Sequence, residues 1–102
     1  MEKSLAILLD RLKRYQPHKI ILFGSAARGD ADAESDLDVI VIKDTQDSFI
    51  DRLETMAKLC PPEVHADILV YTPEEIRAMT AEENPFIIRA FREGKLLYEA
   101  EP

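Results

Sequence analysis

Residues Lys19–Lys43, KIILFGSAARGDADAESDLDVIVIK, contain the clearest structural pattern in the sequence. It begins and ends with two apolar runs, Ile20–Phe23 and Val39–Ile42, whose composition is typical of buried strands. The segment between the runs is rich in Gly, Ala, Asp and Ser and poor in residues that form a core. This layout predicts a functional loop carried by two rigid strands.

Two acids stand where the loop enters the second strand. Because side chains alternate along a strand, Asp36 and Asp38 project from one face while Leu37 points to the other. Adjacent carboxylates repel each other, and a divalent cation that prefers hard oxygen ligands, such as Mg²⁺ or Mn²⁺, relieves the repulsion. The alternative is an exposed strand entrance with two solvated acids.

Gly24 and Ser25, directly after the first strand, add a second signal. Glycine permits a tight turn, and Ser25 can begin a short helix whose free N–H groups and hydroxyl bind a phosphate. A phosphate site beside metal-binding acids suits nucleotide chemistry, and this combination favours a metal over solvated acids. A P-loop is excluded, because Asp30 and Ala31 occupy the positions of its Lys and Ser or Thr.

Length and composition indicate one soluble globular domain, residues 1–102, with 46% hydrophobic and 32% charged residues. The net charge of −7 argues against a long nucleic acid as partner, since such binding depends on Lys and Arg. No apolar run approaches the roughly 20 residues that cross a bilayer, so we expect no membrane contact. The single cysteine, Cys60, fits a reducing cytoplasm.

Helix caps, prolines and apolar periodicity predict the other elements. The first two are a helix with an apolar stripe from Leu5 to Leu12, and a helix capped by Asp44 or Thr45 with the apolar set Phe49, Leu53, Met56 and Cys60. The rest are the strand His65–Tyr71, a helix opened by the capping box Thr72–Glu75, a helix from Asn84 to Gly94, and a strand over Lys95–Tyr98. The order αβαβαβααβ predicts an α/β (α+β) fold with helices packed on a small mixed sheet.

Asp67 is a lone acid in the otherwise apolar third strand, where burial would be unfavourable without a positive group nearby. An ion pair with a basic residue is one explanation. A third carboxylate of the metal site is the other, and we favour it because Asp36 and Asp38 already need a cation.

With Gly24-Ser25, ten intervening residues, Asp36-Leu37-Asp38 and a later strand acid at Asp67, the chain resembles the DNA polymerase beta-like nucleotidyltransferases. Its shortness and its TPEE…NPF…EGKLLYE ending resemble the minimal nucleotidyltransferases that act as antitoxins beside HEPN-domain toxins. The resemblance covers nearly the whole chain. It implies that Asp36 and Asp38 hold two Mg²⁺ ions, for which Mn²⁺ is expected to substitute. Asp67 would complete the metal site and help take the proton from the attacking hydroxyl.

The resemblance also implies a nucleotide-binding set. Gly24 and Ser25 would bind the β- and γ-phosphates of a nucleoside triphosphate, and Arg28 would steady the phosphates. The alternative for Arg28 is a solvated loop arginine. The reaction implied is in-line attack on the α-phosphate, with pyrophosphate as the leaving group.

The implied acceptor is a tyrosine hydroxyl of a HEPN ribonuclease toxin, which would receive AMP from ATP within a hetero-oligomer. The acidic residues Asp30, Asp32 and Glu34 could help steer a basic ribonuclease to the site. Nothing else in the sequence indicates a deep pocket for the base or a domain for the acceptor. One alternative is a non-catalytic antitoxin that covers the toxin. Another is a small-molecule, antibiotic-type nucleotidyltransferase completed by a partner domain.

Overall fold

The structure, a computed structural model, describes residues 2–29 and 36–101. The helices and strands in these ranges follow the predicted order. They are α1 Glu2–Lys13, β1 Lys19–Phe23, α2 Gly24–Arg28, β2 Leu37–Ile42, α3 Phe49–Leu59, β3 Ala66–Tyr71, α4 Pro73–Ala81, α5 Pro85–Glu93 and β4 Lys95–Glu99. No helix in these ranges is both long enough and apolar enough to cross a bilayer.

The four strands form one mixed sheet in the order β3-β2-β1-β4. β1 pairs antiparallel with both β2 and β4, whereas β2 and β3 run parallel. The inner strand β2 is the most buried, with Val39, Ile40 and Val41 at zero exposure. A small mixed sheet with helices packed on it confirms the predicted fold class.

Each face of the sheet packs against a different set of helices. One face carries Val39 and Val41 of β2 and forms the larger core with α1 and α3, through residues such as Leu12 and Met56. The other carries Ile21, Ile40 and Ile42 and packs against Ile87 and Ala90 of α5. We call this second side the α5 face. Because side chains alternate along β2, Asp38 lies on the α5 face together with Ile40.

The helix capping predicted at Asp44 or Thr45 was wrong, because α3 begins later. Its cap is Ser48, whose side chain accepts a hydrogen bond from the Asp51 backbone N–H at 3.1 Å. Thr45 instead accepts a hydrogen bond from the Asp47 backbone N–H, also at 3.1 Å, and so stabilises the turn before the helix. Ser48 and Thr45 are both residue types that cap helices well, so the packing of α3 determines which of them is the cap.

The buried face of α3 also differs from the predicted apolar set. Met56 is buried, but Phe49 and Leu53 remain 38% and 36% exposed. The position between them, Arg52, is buried at 6% exposure. Its guanidinium donates to the Asp47 carbonyl at 2.9 Å, to the Val70 carbonyl at 3.1 Å and to Glu75 Oε1 at 2.7 Å. Arg52 thereby links α3 to β3 and to the start of α4.

The two C-terminal helices begin as predicted. Thr72 and Glu75 form the capping box of α4, with Pro73 at its first position. Asn84 caps α5, because its side-chain Oδ1 accepts hydrogen bonds from the backbone N–H groups of Phe86 and Ile87. Gly94 then ends α5 against β1, where an added Cβ would lie 2.3 Å from the Ala90 carbonyl oxygen and 2.9 Å from Ile21.

Candidate active site

The turn between β1 and α2 brings backbone directly against an acid. Gly24 has φ +72°, a left-handed conformation that side chains rarely adopt. A Cβ at this position would lie 2.4 Å from Asp38 Oδ2. Glycine is therefore required here both by the turn and by the close approach of the carboxylate. Ser25, in the first turn of α2, is partly exposed beside it.

Asp38 lies at the centre of the candidate site because of the strand register. It pairs with Phe23 across the antiparallel β1–β2 ladder and with Asp67 across the parallel β2–β3 ladder. Paired positions on neighbouring strands point to the same face, so Asp38 and Asp67 lie side by side on the α5 face. β2 begins at Leu37, two residues earlier than predicted, and Asp38 is thus held by the strand itself.

The electrostatics of the site act on Asp38. Burial of its carboxyl raises its pKa, and the negative charges of Asp67 and Asp36 raise it further. Arg28 opposes these effects and lowers the pKa of Asp38. The three predicted acids and the predicted arginine therefore lie close enough to influence one another, and the acids repel.

Two of the three acids remain open to solvent. Asp36, just before β2, and Asp67 on the edge strand β3 are both exposed, so the burial penalty expected for Asp67 does not arise. No basic side chain of the described ranges forms an ion pair with Asp67. Nor do those ranges contain a preformed group of three or more His, Cys, Asp or Glu residues that could hold a metal ion. Shared binding of one ion would require the exposed carboxylates to turn toward Asp38.

Arg28 is the last residue of α2 and does not lie in a solvated loop. Its Nη1 lies 3.8 Å from Oε2 of Glu93, the last residue of α5, and its side chain is 37% exposed. The contact joins two helices that border the site.

A cleft of about 410 Å³ opens between α2 and α5 beside Gly24. Arg28 and Phe23 line one side, and Phe86, Arg89 and Glu93 line the other. The rings of Phe23 and Phe86 meet edge to face with centroids 5.4 Å apart. The sequence did not predict this cleft, because its two sides lie 58 to 70 residues apart in the chain. The closest signal was the helical spacing of Arg89 and Glu93, which does not reveal what the helix faces.

Comparison with known proteins assigns the fold to a family. The family described as "Polymerase beta, Nucleotidyltransferase" matches residues 8–102. The chain belongs to this nucleotidyltransferase family. Within it, the turn after β1 and the paired acids of β2 and β3 are the positions that the sequence pattern singled out.

A Methanocaldococcus jannaschii protein named "Putative protein adenylyltransferase" is 40% identical to this nucleotidyltransferase over 52 residues. That match covers 48% of this chain and 52% of the relative, so the chain spans about half the length of the relative.

Two solved structures share the fold. One is a Sulfolobus solfataricus protein described as "a putative nucleotidyltransferase", with a TM-score of 0.63 and 16% identity over 96% of this chain and 85% of that one. The other is a chain of a toxin-antitoxin crystal structure with AMP-PNP, with a TM-score of 0.61 and 21% identity over 94% of this chain and 73% of that one. At these identities the likeness shows the fold alone.

Proposed function

We propose that this nucleotidyltransferase moves AMP from ATP onto a hydroxyl of a partner protein, and that the partner is a HEPN-type ribonuclease toxin. The observation that carries the proposal is the position of Asp38. Its carboxylate lies against the Gly24 turn and beside Asp67, in a chain of the polymerase beta nucleotidyltransferase family.

The acids fit a pair of divalent cations. Asp36, Asp38 and Asp67 offer hard carboxylate oxygens, the ligands that Mg²⁺ and Mn²⁺ prefer. The raised pKa of Asp38 supports the fit, because a nearby cation would relieve the repulsion that causes part of the shift. When bound, Mg²⁺ would supply neutralisation of the charge on the phosphates.

The side of the site nearest β1 would bind the phosphates. Gly24 makes the tight turn that starts α2, and Ser25 in the first turn of that helix offers a hydroxyl donor. Arg28 lines the cleft beside Gly24 and would face phosphates bound there. Its guanidinium would donate to phosphate oxygens as a planar fork.

The transfer exchanges one phosphorus–oxygen bond for another. The acceptor hydroxyl oxygen forms a bond to the α-phosphorus of ATP, and the bond from that phosphorus to the oxygen bridging the α- and β-phosphates breaks. Pyrophosphate leaves with the electron pair, while Asp67 helps to take the hydroxyl proton. Asp67 suits this role because it is exposed on an edge strand, where an acceptor can reach it.

A protein acceptor is supported by the comparisons. One relative is named as a protein adenylyltransferase, and one structure of the same fold is a toxin-antitoxin with AMP-PNP. The net charge of −7 suits a basic partner. Steering by Asp30, Asp32 and Glu34 stays a prediction, since these residues lie outside the described ranges. Because acceptor positioning supplies much of the rate in such reactions, we expect the isolated chain to turn over ATP slowly.

The test is intact-protein mass spectrometry of the chain mixed with a candidate HEPN toxin, ATP and Mg²⁺. We expect the toxin to gain the mass of one or more AMP groups and to lose ribonuclease activity. Asp38→Asn should bind the toxin without modifying it. A toxin that is silenced with no gain in mass would identify a non-catalytic antitoxin, and labelling of an antibiotic or an RNA instead would identify a different acceptor class.

A further inference from the structure

Two arginines from different parts of the chain meet at one carboxylate oxygen. Arg89 Nε donates to Glu93 Oε2 at 2.9 Å, and Arg28 Nη1 lies 3.8 Å from the same oxygen. Arg89 and Glu93 are one turn apart on α5, whereas Arg28 belongs to α2. All three side chains line the cleft beside Gly24.

Among the described residues that line the cleft, Arg28 and Arg89 are the basic ones and Glu93 is the acidic one. A ligand with several negative oxygens could accept hydrogen bonds from both guanidinium groups, each of which donates as a planar fork. Arg89 has the freedom to turn toward such a ligand, because its side chain is 70% exposed.

The position of α5 is fixed, so the meeting of the arginines is not a chance contact of a loose helix. Phe86 in its first turn packs edge to face on Phe23. At its other end, Gly94 is pressed against Ile21 and the Leu22 carbonyl oxygen of β1. An exposed Arg–Glu pair on one helix adds little to stability, so the Arg89–Glu93 pair is not needed to hold α5 in place.

We propose that Arg89 is a second arginine for the terminal phosphates of the nucleoside triphosphate and for the leaving pyrophosphate. Glu93 holds Arg89 and Arg28 near the cleft until the phosphates displace it. This inference rests on the proposed function and adds two residues to it. The ligand is identified by its chemistry: a polyphosphate offers the multiple oxygens that two planar guanidinium groups bind in a fork.

The test measures binding of pyrophosphate, ATP and AMP by calorimetry in the presence of Mg²⁺. Arg89→Ala should weaken the binding of pyrophosphate and ATP roughly tenfold, because one charge-assisted hydrogen bond is lost. The binding of AMP should change little. Arg92→Ala is the matched control, since Arg92 is an exposed arginine of the same helix that does not line the cleft. Glu93→Gln should tighten pyrophosphate binding, because it removes the competing negative charge and keeps the shape. Arg89→Lys should recover only part of the affinity, since an ammonium lacks the fork.

The outcomes separate this inference from the proposed function. If the wild type binds neither ATP nor pyrophosphate, both fail. If the wild type binds them and Arg89→Ala matches Arg92→Ala, the role of Arg89 is refuted and the proposed function stands. If Glu93→Gln weakens ATP and leaves pyrophosphate unchanged, the cleft receives the nucleoside instead of the phosphates. Thermal melts of each variant control for folding, and Arg89→Lys carries the comparison if Arg89→Ala unfolds.

Discussion

Replacing Arg52 by methionine should destabilise the fold more than any surface change of equal charge. Methionine fills much of the same volume but donates no hydrogen bond. The change leaves the carbonyls of Asp47 and Val70 without their donor and separates Glu75 from its cation. Because Arg52 is only 6% exposed, water cannot fully replace these contacts.

The magnitude follows from the three lost contacts. A hydrogen bond to a charged group is worth about 1.5–3 kcal/mol and a neutral one about 1 kcal/mol. Glu75 is 41% exposed and still accepts from the Thr72 backbone N–H, so its own penalty is small. We therefore expect the free energy of unfolding to fall by about 3 kcal/mol. For a domain of ~100 residues this lowers Tm by roughly 12–24 °C.

The assay is urea unfolding followed by circular dichroism, with two further variants. Arg77→Met removes an exposed arginine from α4 and should change the free energy of unfolding by no more than about 0.5 kcal/mol. Glu75→Gln keeps an oxygen acceptor for both Arg52 and Thr72, so it should lower the free energy of unfolding less than Arg52→Met does. An Arg52→Met variant as stable as Arg77→Met would show that these hydrogen bonds do not hold α3 to β3 and α4.

Three further predictions concern the site and the pH dependence of stability. Mn²⁺ should raise the Tm of the wild type in a thermal melt, and the double change Asp36→Asn with Asp38→Asn should abolish the rise; an equal rise in both proteins would exclude a metal at these acids. We expect Ser25→Ala to weaken ATP binding by about 1–3 kcal/mol in calorimetry, because it removes one phosphate donor. Gly24→Ala should weaken ATP binding more, because the added Cβ meets Asp38 and the φ of +72° strains any side chain. Equal affinity in the wild type and both variants would place the nucleotide elsewhere. The hydrogen bond from Arg52 lowers the pKa of Glu75 in the folded protein. The stability that this pair adds is therefore fully present above the ordinary glutamate pKa of roughly 4.3, and it is lost as the pH falls through the lower pKa of the folded state. Acid unfolding of Glu75→Gln should therefore depend less on pH in that window, and identical pH profiles would refute the effect.

Local chemistry was enough to predict most of the elements. The β-branched runs of β1 and β2, the capping box at Thr72 and the turn at Gly24 each depend on contacts within a few residues. The cap of α3 was not predictable in the same way. Thr45 and Ser48 are both good caps, and only tertiary packing determines where the helix starts. The burial of Arg52 was missed because its partners, Val70 and Glu75, come from later elements.

The candidate site could also be predicted only where it depends on local sequence. The pattern of Gly24, Asp36 and Asp38 was visible in the sequence, and Asp67 was added to it because the first two acids need a cation. The parallel register that sets Asp67 beside Asp38 was not predicted. The meeting of Arg28 with Glu93 could not be predicted. It depends on how α5 crosses the sheet, which no local spacing encodes.

The order of the strands gives the proposed reaction a direction. β2, with Asp38, lies between β1 and the edge strand β3. The cleft with Arg28 and Arg89 opens on the β1 side, whereas Asp67 stands on the β3 side. In-line displacement needs the attacking and leaving oxygens on opposite sides of the phosphorus. If pyrophosphate departs toward the cleft, the acceptor hydroxyl must arrive over the edge of β3, so a large protein can dock there without blocking the exit.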